Sequence, residues 1–169
     1  MCHGVNRPFR VLFVCTGNIC RSPTAEGLFR AAVRGAGLLE RIEVDSAGID
    51  DWHVGDGPDA RAVAAARRRG IDISVLRARQ VERADFSRFD LILAMDRGHL
   101  SALTRSCPRG SVDRLRLFLS FAPESGDGDI PDPYYGGPEG FERVLDMIEA
   151  GTKGLLAHIR RHLATAAER

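Results

Sequence analysis

V-L-F-V-C-T-G-N-I-C-R-S-P, residues 11–23, joins an apolar run to a short polar turn and then to a Ser-Pro pair. Arg10–Val14 is short, apolar and rich in β-branched and aromatic side chains, which predicts a buried strand. Ser22-Pro23 predicts a helix start, with serine as N-cap and proline at the first helical position. Ala25, Leu28, Phe29, Ala32 and Val33 follow at the spacing of one buried helix face. Gly35 or Gly37 should end that helix.

The same alternation continues along the chain. Arg41–Ala47 is expected as a second strand and Gly48–Gly57 as a loop carrying Asp50, Asp51, Trp52 and His53. Pro58–Arg69 reads as a helix closed by Gly70. Asp90–Met95 reads as a buried strand, 97–105 as a helix and Arg114–Leu119 as a fourth strand. Asp127–Gly140, rich in Pro and Gly, should be an irregular surface loop. A long helix from Glu139 to about Leu163 carries Phe141, Val144, Leu145, Ile148, Leu155, Ile159 and Leu163 on one stripe. Strands that alternate with helices predict a three-layer α/β fold with a parallel sheet covered on both faces. Right-handed crossovers narrow the topology, and the strand order 2-1-3-4 is expected. In such sheets ligands bind beyond the carboxyl ends of the strands, where Cys15 lies.

The turn after Cys15 has the makings of an anion site. Backbone amides and a helix N-terminus together cradle negative charge. Gly17 allows a tight turn and close approach to a ligand. Asn18 tolerates a left-handed backbone and can tie the loop down. Arg21 offers a planar, permanently charged fork for two phosphate oxygens. All of these favour a thiolate at Cys15, placed beneath a bound phosphate for attack on phosphorus. Cys-x5-Arg alone is weak evidence in so arginine-rich a chain. Its setting, with the strand before, Gly and Asn within and Ser-Pro after, is what makes it specific. No G-K-[ST] is present, so the loop is not of the NTPase kind. Departure of an alkoxide or phenoxide also needs a proton. Asp132, held between Pro131 and Pro133, is a candidate general acid, although the same residue reads equally as a simple turn carboxylate. Tyr134 and Tyr135, the two tyrosines of the chain, adjoin it and suit a flat phenyl ring.

Composition limits the alternatives. The 169 residues make about one domain, with net charge +1, so no bulk field favours nucleic acid or an acidic membrane. Residues 1–8 are expected as an N-terminal extension and 164–169 as a frayed tail. Lys153 is the only lysine, and the basic run Arg67-Arg68-Arg69 is read as a solvated helix end. The first ten residues lack the apolar core of an export signal, and no apolar run is long enough to span a membrane. A cytoplasmic protein with reduced thiols is expected. Cysteines 2, 15, 20 and 107 show no metal-binding spacing, and His158 and His162, four apart, lack a third ligand. Neither a metal nor another cofactor is expected.

V-C-T-G-N-I-C-R-S-P at 14–23, D-S-A-G at 45–48, W-H-V-G at 52–55 and D-P-Y-Y-G at 132–136 occur in an order and spacing that closely resembles the low-molecular-weight protein tyrosine phosphatases, the bacterial branch in particular. The likeness runs from about Phe9 to about Leu163. It implies a four-stranded parallel sheet flanked by helices and a metal-free hydrolysis of phosphotyrosine. It implies Cys15 as nucleophile, Arg21 as phosphate ligand, Asp132 as general acid and then base, and Ser22 as the hydroxyl that helps the thiolate leave. Thr16, Gly17, Ile19 and Cys20 complete the loop, Asn18 and Ser46 form the network that holds its shape, and Trp52, Tyr134 and Tyr135 line the mouth. Ile19 is similar to the tyrosine-specific members, whereas related arginine phosphatases have threonine there. Cys20 reads either as a small packing residue or, as the resemblance implies, as a resolving thiol for an oxidised Cys15. Cys2 and Cys107 are read as incidental. One departure is Leu76, where many members have a histidine that joins the network around the loop asparagine. The implied partner is a phosphotyrosine protein, a bacterial tyrosine autokinase being one candidate. Three rival readings stay open: a thiol-dependent arsenate reductase, a protein-arginine phosphatase and a phosphate-binding module without turnover.

Overall fold

A computed structural model describes residues 7–168. Four parallel strands, β1 (Phe9–Cys15), β2 (Ile42–Gly48), β3 (Leu91–Ala94) and β4 (Leu115–Leu117), pair in the order β2-β1-β3-β4. The helices are α1 (Arg21–Gly35), α2 (Ala60–Arg68), α3 (Asp85–Arg88), α4 (Arg97–Ser106) and α5 (Pro138–Ala167). The expected fold class and strand order are both observed.

The apolar run explains why β1 is central. Val11 and Phe13 point into a core built with α1, α2 and α5, while Leu12 and Val14 point into a second core with Phe86 and Leu103 of α3 and α4. All four are fully buried, as a strand covered on both faces requires. Phe13 packs edge-on against Phe29 and Phe118, with ring centroids 5.8 and 5.2 Å apart. Because β1 has β2 on one side and β3 on the other, its carboxyl end opens where the winding reverses.

Several boundaries differ from expectation. Helix α1 starts at Arg21, with Cys20 in the cap position and no side-chain cap. Ser22 is therefore inside the first turn, because its hydroxyl is engaged by Cys15 and Asn18 instead. Helix α2 starts two residues later than expected, at Ala60, because the Asp59 carboxylate caps it by accepting from the Arg61 backbone N–H at 2.8 Å. Gly70, with φ 80°, closes the turn after it as expected. Strand β4 stops at Leu117, short of Leu119. The chain there turns into a 3₁₀ segment, Phe118–Phe121, that buries Phe118 and Leu119. This segment lies so close to α5 that a Cβ at Gly151 would sit 2.6 Å from Phe118 Cζ, and one at Gly154 would run into the Phe121 carbonyl. Helix α3 was not expected. Helix α5 begins at Pro138 and continues to Ala167, so residues 164–167, expected as tail, are helical. Of the expected extension, residues 1–6 with Cys2 lie outside the described residues, and Arg7 is ion-paired to Asp90 at 2.7 Å.

The basic run is not simply solvated. Arg69 is paired with Glu142, Asp146 and Glu149 at 2.8–3.0 Å, and Arg68 with Glu142 at 2.7 Å, which ties α2 to α5. His158 and His162 pack with inclined rings against Phe121 and Phe9, at interplanar angles of 60° and 62° and with ring centroids 5.0 Å apart in each pair. Cys107, half-buried, donates to the Pro108 carbonyl at 3.3 Å. No helix among the described residues is long and apolar enough to cross a membrane.

Candidate active site

The loop from Cys15 to Ser22 closes over the carboxyl end of β1. Asn18 holds the loop's one left-handed conformation, φ 58°, which costs asparagine less than most residues. Both ends of its amide are bonded. Its Oδ1 accepts the Arg79 backbone N–H at 3.0 Å, and its Nδ2 donates to Ser22 Oγ at 2.8 Å and Ser46 Oγ at 2.9 Å. Since both hydroxyls accept from Asn18, each keeps its own hydrogen to give onward. Ser46 gives to Glu26 Oε1 at 2.6 Å, and Ser22 Oγ lies 3.0 Å from Cys15 Sγ. Burial raises the Glu26 carboxyl above its ordinary value, while the Ser46 bond and Arg30 oppose the rise.

Leu76 brings no polar group to this network. It packs, half-buried, against the core. Asn18 is reached by the backbone of Arg79 instead, whose side chain is pinned to Asp45 at 3.0 Å and to the buried Asp85 at 2.9 Å. Gly48 supplies the remaining support. A Cβ there would stand 2.8 Å from the Thr16 carbonyl oxygen, so only glycine lets β2 approach the loop so closely. The amides of Ile49 and Asp50 donate to the Cys15 and Thr16 carbonyls, each at 2.9 Å.

Arg21 is 4% exposed. Its Nη1 donates to Asp96 Oδ2 and to the Ile130 carbonyl, both at 2.9 Å. Its Nη2 lies 3.6 Å from Asp132 Oδ2 and 3.5 Å from both Thr16 Oγ1 and His99 Nε2. Asp96, the N-cap of α4, also accepts from the His99 backbone N–H. Burial works against its charge, but the His99 N–H, the His99 ring and Arg21 together hold its carboxyl below the ordinary value. Cys20 is buried, and that burial, with Asp59 and Cys15 nearby, pushes its thiol up to about 12.

Above the loop is a cleft of about 210 Å³ with Cys15 and Arg21 at its floor. Trp52, Tyr134 and Tyr135 line its mouth, together with Asp132. Trp52 and Tyr135 are almost fully exposed, at 85% and 91%. Asp132 accepts from the Tyr134 backbone N–H at 3.0 Å through Oδ1, while its Oδ2 is the oxygen that faces Arg21. Arg61, anchored by Asp59, donates to the Tyr134 carbonyl at 3.0 Å and lies 5.3 Å from its ring. All the residues expected at the site are thus in or around one cleft. Sequence reading missed Asp96, His99, Glu26 and Arg79, which support it from behind. It also missed Asp50 and His53 as parts of the wall. Only Asp96 carried a usable signal, as an N-cap residue directly after a buried strand.

Residues 10–165 match the model of the family described as low molecular weight phosphotyrosine protein phosphatase. The chain is 51% identical over 160 residues to a low molecular weight protein-tyrosine-phosphatase of Streptomyces coelicolor, covering 92% of this chain and 96% of that one. Among solved structures it is similar to YfkJ from Bacillus subtilis, with TM-score 0.88, 39% identity and coverage of 94% and 99%. It is also similar to Vibrio vulnificus Wzb in complex with benzylphosphonate, with TM-score 0.77, 32% identity and coverage of 87% and 96%.

Proposed function

The chain belongs to the low molecular weight phosphotyrosine protein phosphatase family, and from that premise we propose a protein-tyrosine phosphatase that works through a phosphocysteine on Cys15. One observation carries the mechanism. The Cys15 sulfur lies 3.0 Å from the Ser22 hydroxyl beneath a cleft whose floor holds the buried Arg21 and whose wall holds Asp132.

In the first step the Cys15 sulfur attacks phosphorus. The S–P bond forms as the P–O bond to the phenol breaks, and Asp132 gives its proton to the departing oxygen. In the second step water attacks the phosphocysteine, Asp132 takes a proton from that water, and the sulfur leaves as thiolate. The Ser22 hydroxyl stabilises the leaving sulfur. Arg21 and the loop amides balance the charge on the equatorial oxygens, so these groups supply the electrostatic work and the reading needs no metal. Trp52, Tyr134 and Tyr135 form the walls that take a phenyl ring, and the benzyl group of the ligand in the Wzb complex agrees with such a mouth. Ile19 favours phosphotyrosine over phosphoarginine. A tyrosine autokinase in the same cytoplasm is the partner that this reading favours.

The test is turnover of a phosphotyrosine peptide in EDTA, with a phosphoarginine peptide and arsenate run alongside. Phosphate release from phosphotyrosine, undiminished by EDTA and much faster than from phosphoarginine, is the expected result. Preference for phosphoarginine, arsenate-dependent thiol oxidation without ester hydrolysis, or tight peptide binding without release would each replace the reading.

Cys20 is proposed as the thiol that attacks the sulfenic acid which peroxide leaves on Cys15, so that the S–S bond forms as the S–O bond breaks and water departs. Because burial keeps Cys20 protonated, the peroxide-reactive sulfur is Cys15. After brief peroxide treatment, dithiothreitol should restore most of the activity in wild type and little in Cys20→Ser. Equal recovery in both would remove that role.

A further inference from the structure

His99 is 6% exposed, and the mechanism above makes no use of it. It lies on the first turn of α4, three residues after the Asp96 cap. Its Nε2 is 2.8 Å from Thr16 Oγ1 and 3.5 Å from Arg21 Nη2. Its Nδ1 is 3.2 Å from Asp96 Oδ1 but without the alignment of a hydrogen bond, and has no other partner. The neighbours assign the tautomer. Nδ1 faces a carboxylate and carries the proton, so Nε2 presents its lone pair and accepts from the Thr16 hydroxyl. The oxygen of that hydroxyl is then left to accept from Arg21 Nη2.

The two ends of the Arg21 fork are held differently. Nη1 has two short bonds, to Asp96 and the Ile130 carbonyl. The contacts of Nη2 are longer, at 3.5–3.6 Å, and come from Thr16, His99 and Asp132. Where Nη2 rests therefore depends on the Thr16–His99 pair and on Asp132, the proton-transfer group.

We propose that His99 is a positioning residue for Arg21, acting through the Thr16 hydroxyl to aim Nη2 at the phosphate. This rests on the reading of Arg21 given above. The role requires a neutral ring, since a second cation beside the guanidinium would repel it. Every element packed on the ring bears on that charge: Arg21 from α1, Asp96 from its own cap, and Asp129 and Asp132 from the loop before α5. Burial first and Arg21 second win over the carboxylates, and the imidazole is pushed down to about 4.

A double-mutant cycle in the full chain tests this, with Thr16→Val, His99→Phe and the pair. The readouts are kcat and KM on a phosphotyrosine peptide and the affinity for inorganic phosphate by calorimetry. Each single variant should lower kcat/KM about tenfold, the size of one hydrogen bond serving a charged group. Phosphate affinity should fall with it, and the double variant should be no worse than either single. His99→Gln, whose amide oxygen can take the place of Nε2, should return to within about threefold of wild type. If His99→Phe does not fold, His99→Asn, too short to reach Thr16, takes its place in the cycle. Losses that multiply to about a hundredfold would overturn the proposal, because independent sites add in free energy. So would single variants that lower only the melting temperature. A wild type that binds phosphate without turnover would sink the phosphatase reading alone, since the coupling in phosphate affinity would still decide the role of His99.

Discussion

Cys15→Ser is expected to lose at least about 10⁴-fold in the hydrolysis of para-nitrophenyl phosphate while keeping phosphate binding. The Ser hydroxyl fits the site, because oxygen is smaller than the buried sulfur it replaces and can still face Ser22 Oγ. What it lacks is ionisation. A thiol is intrinsically a far stronger acid than an alcohol, which needs a base to attack, and none adjoins Cys15 in the network of Ser22, Asn18 and Ser46. Arg21, Asp96 and the loop backbone are untouched by the change, so the anion site should survive it. Measuring turnover and phosphate affinity on the same preparation separates the two effects. An active serine variant would rule out the phosphocysteine, and a variant that loses both properties would mean that the loop had collapsed.

Asp132→Asn should cost about 10²–10⁴-fold on phenyl phosphate, the usual span for a lost general acid. The loss should shrink as the leaving group improves, because a stable phenolate departs without a proton. The comparison of phenyl with para-nitrophenyl phosphate is therefore the informative measurement. Asparagine keeps an oxygen for the Tyr134 N–H, so the local backbone should hold. A penalty equal for both leaving groups would deny Asp132 the proton transfer. It would leave the carboxylate only its 3.6 Å contact with Arg21 Nη2.

Residues close together in the chain were the legible part of this site. Cys15, Asn18, Arg21 and Ser22 lie in one loop whose apolar strand and helix start can be read from local spacing. Asp132 and the two tyrosines could be read as a cluster, but nothing local places a loop before α5 opposite a loop after β1. That juxtaposition is a product of the parallel winding, which brings the carboxyl ends of β1, β3 and β4 to the same edge. Misplaced boundaries have the same origin. Ser22 carries a cap signal, yet its hydroxyl has stronger claims on it from Cys15 and Asn18, and the helix starts two residues earlier. Leu119 continues a strand-like run, yet the fit of Phe118 and Phe121 against Gly151 and Gly154 turns the chain out of the sheet.

The sequence by itself determined the α/β layering, the central place of β1 and the chemistry of the anion loop, because periodicity and turn residues act over a few positions. Only the tertiary structure decided how that loop is held. Asn18 is bonded to Ser46 and to the backbone of Arg79, and Arg21 to Asp96 and the carbonyl of Ile130, partners 28–109 residues distant. His99, whose imidazole is pushed down by burial and by the guanidinium beside it, belongs to the same group. Burial and charge are properties of assembled neighbours, and no spacing along the chain encodes them.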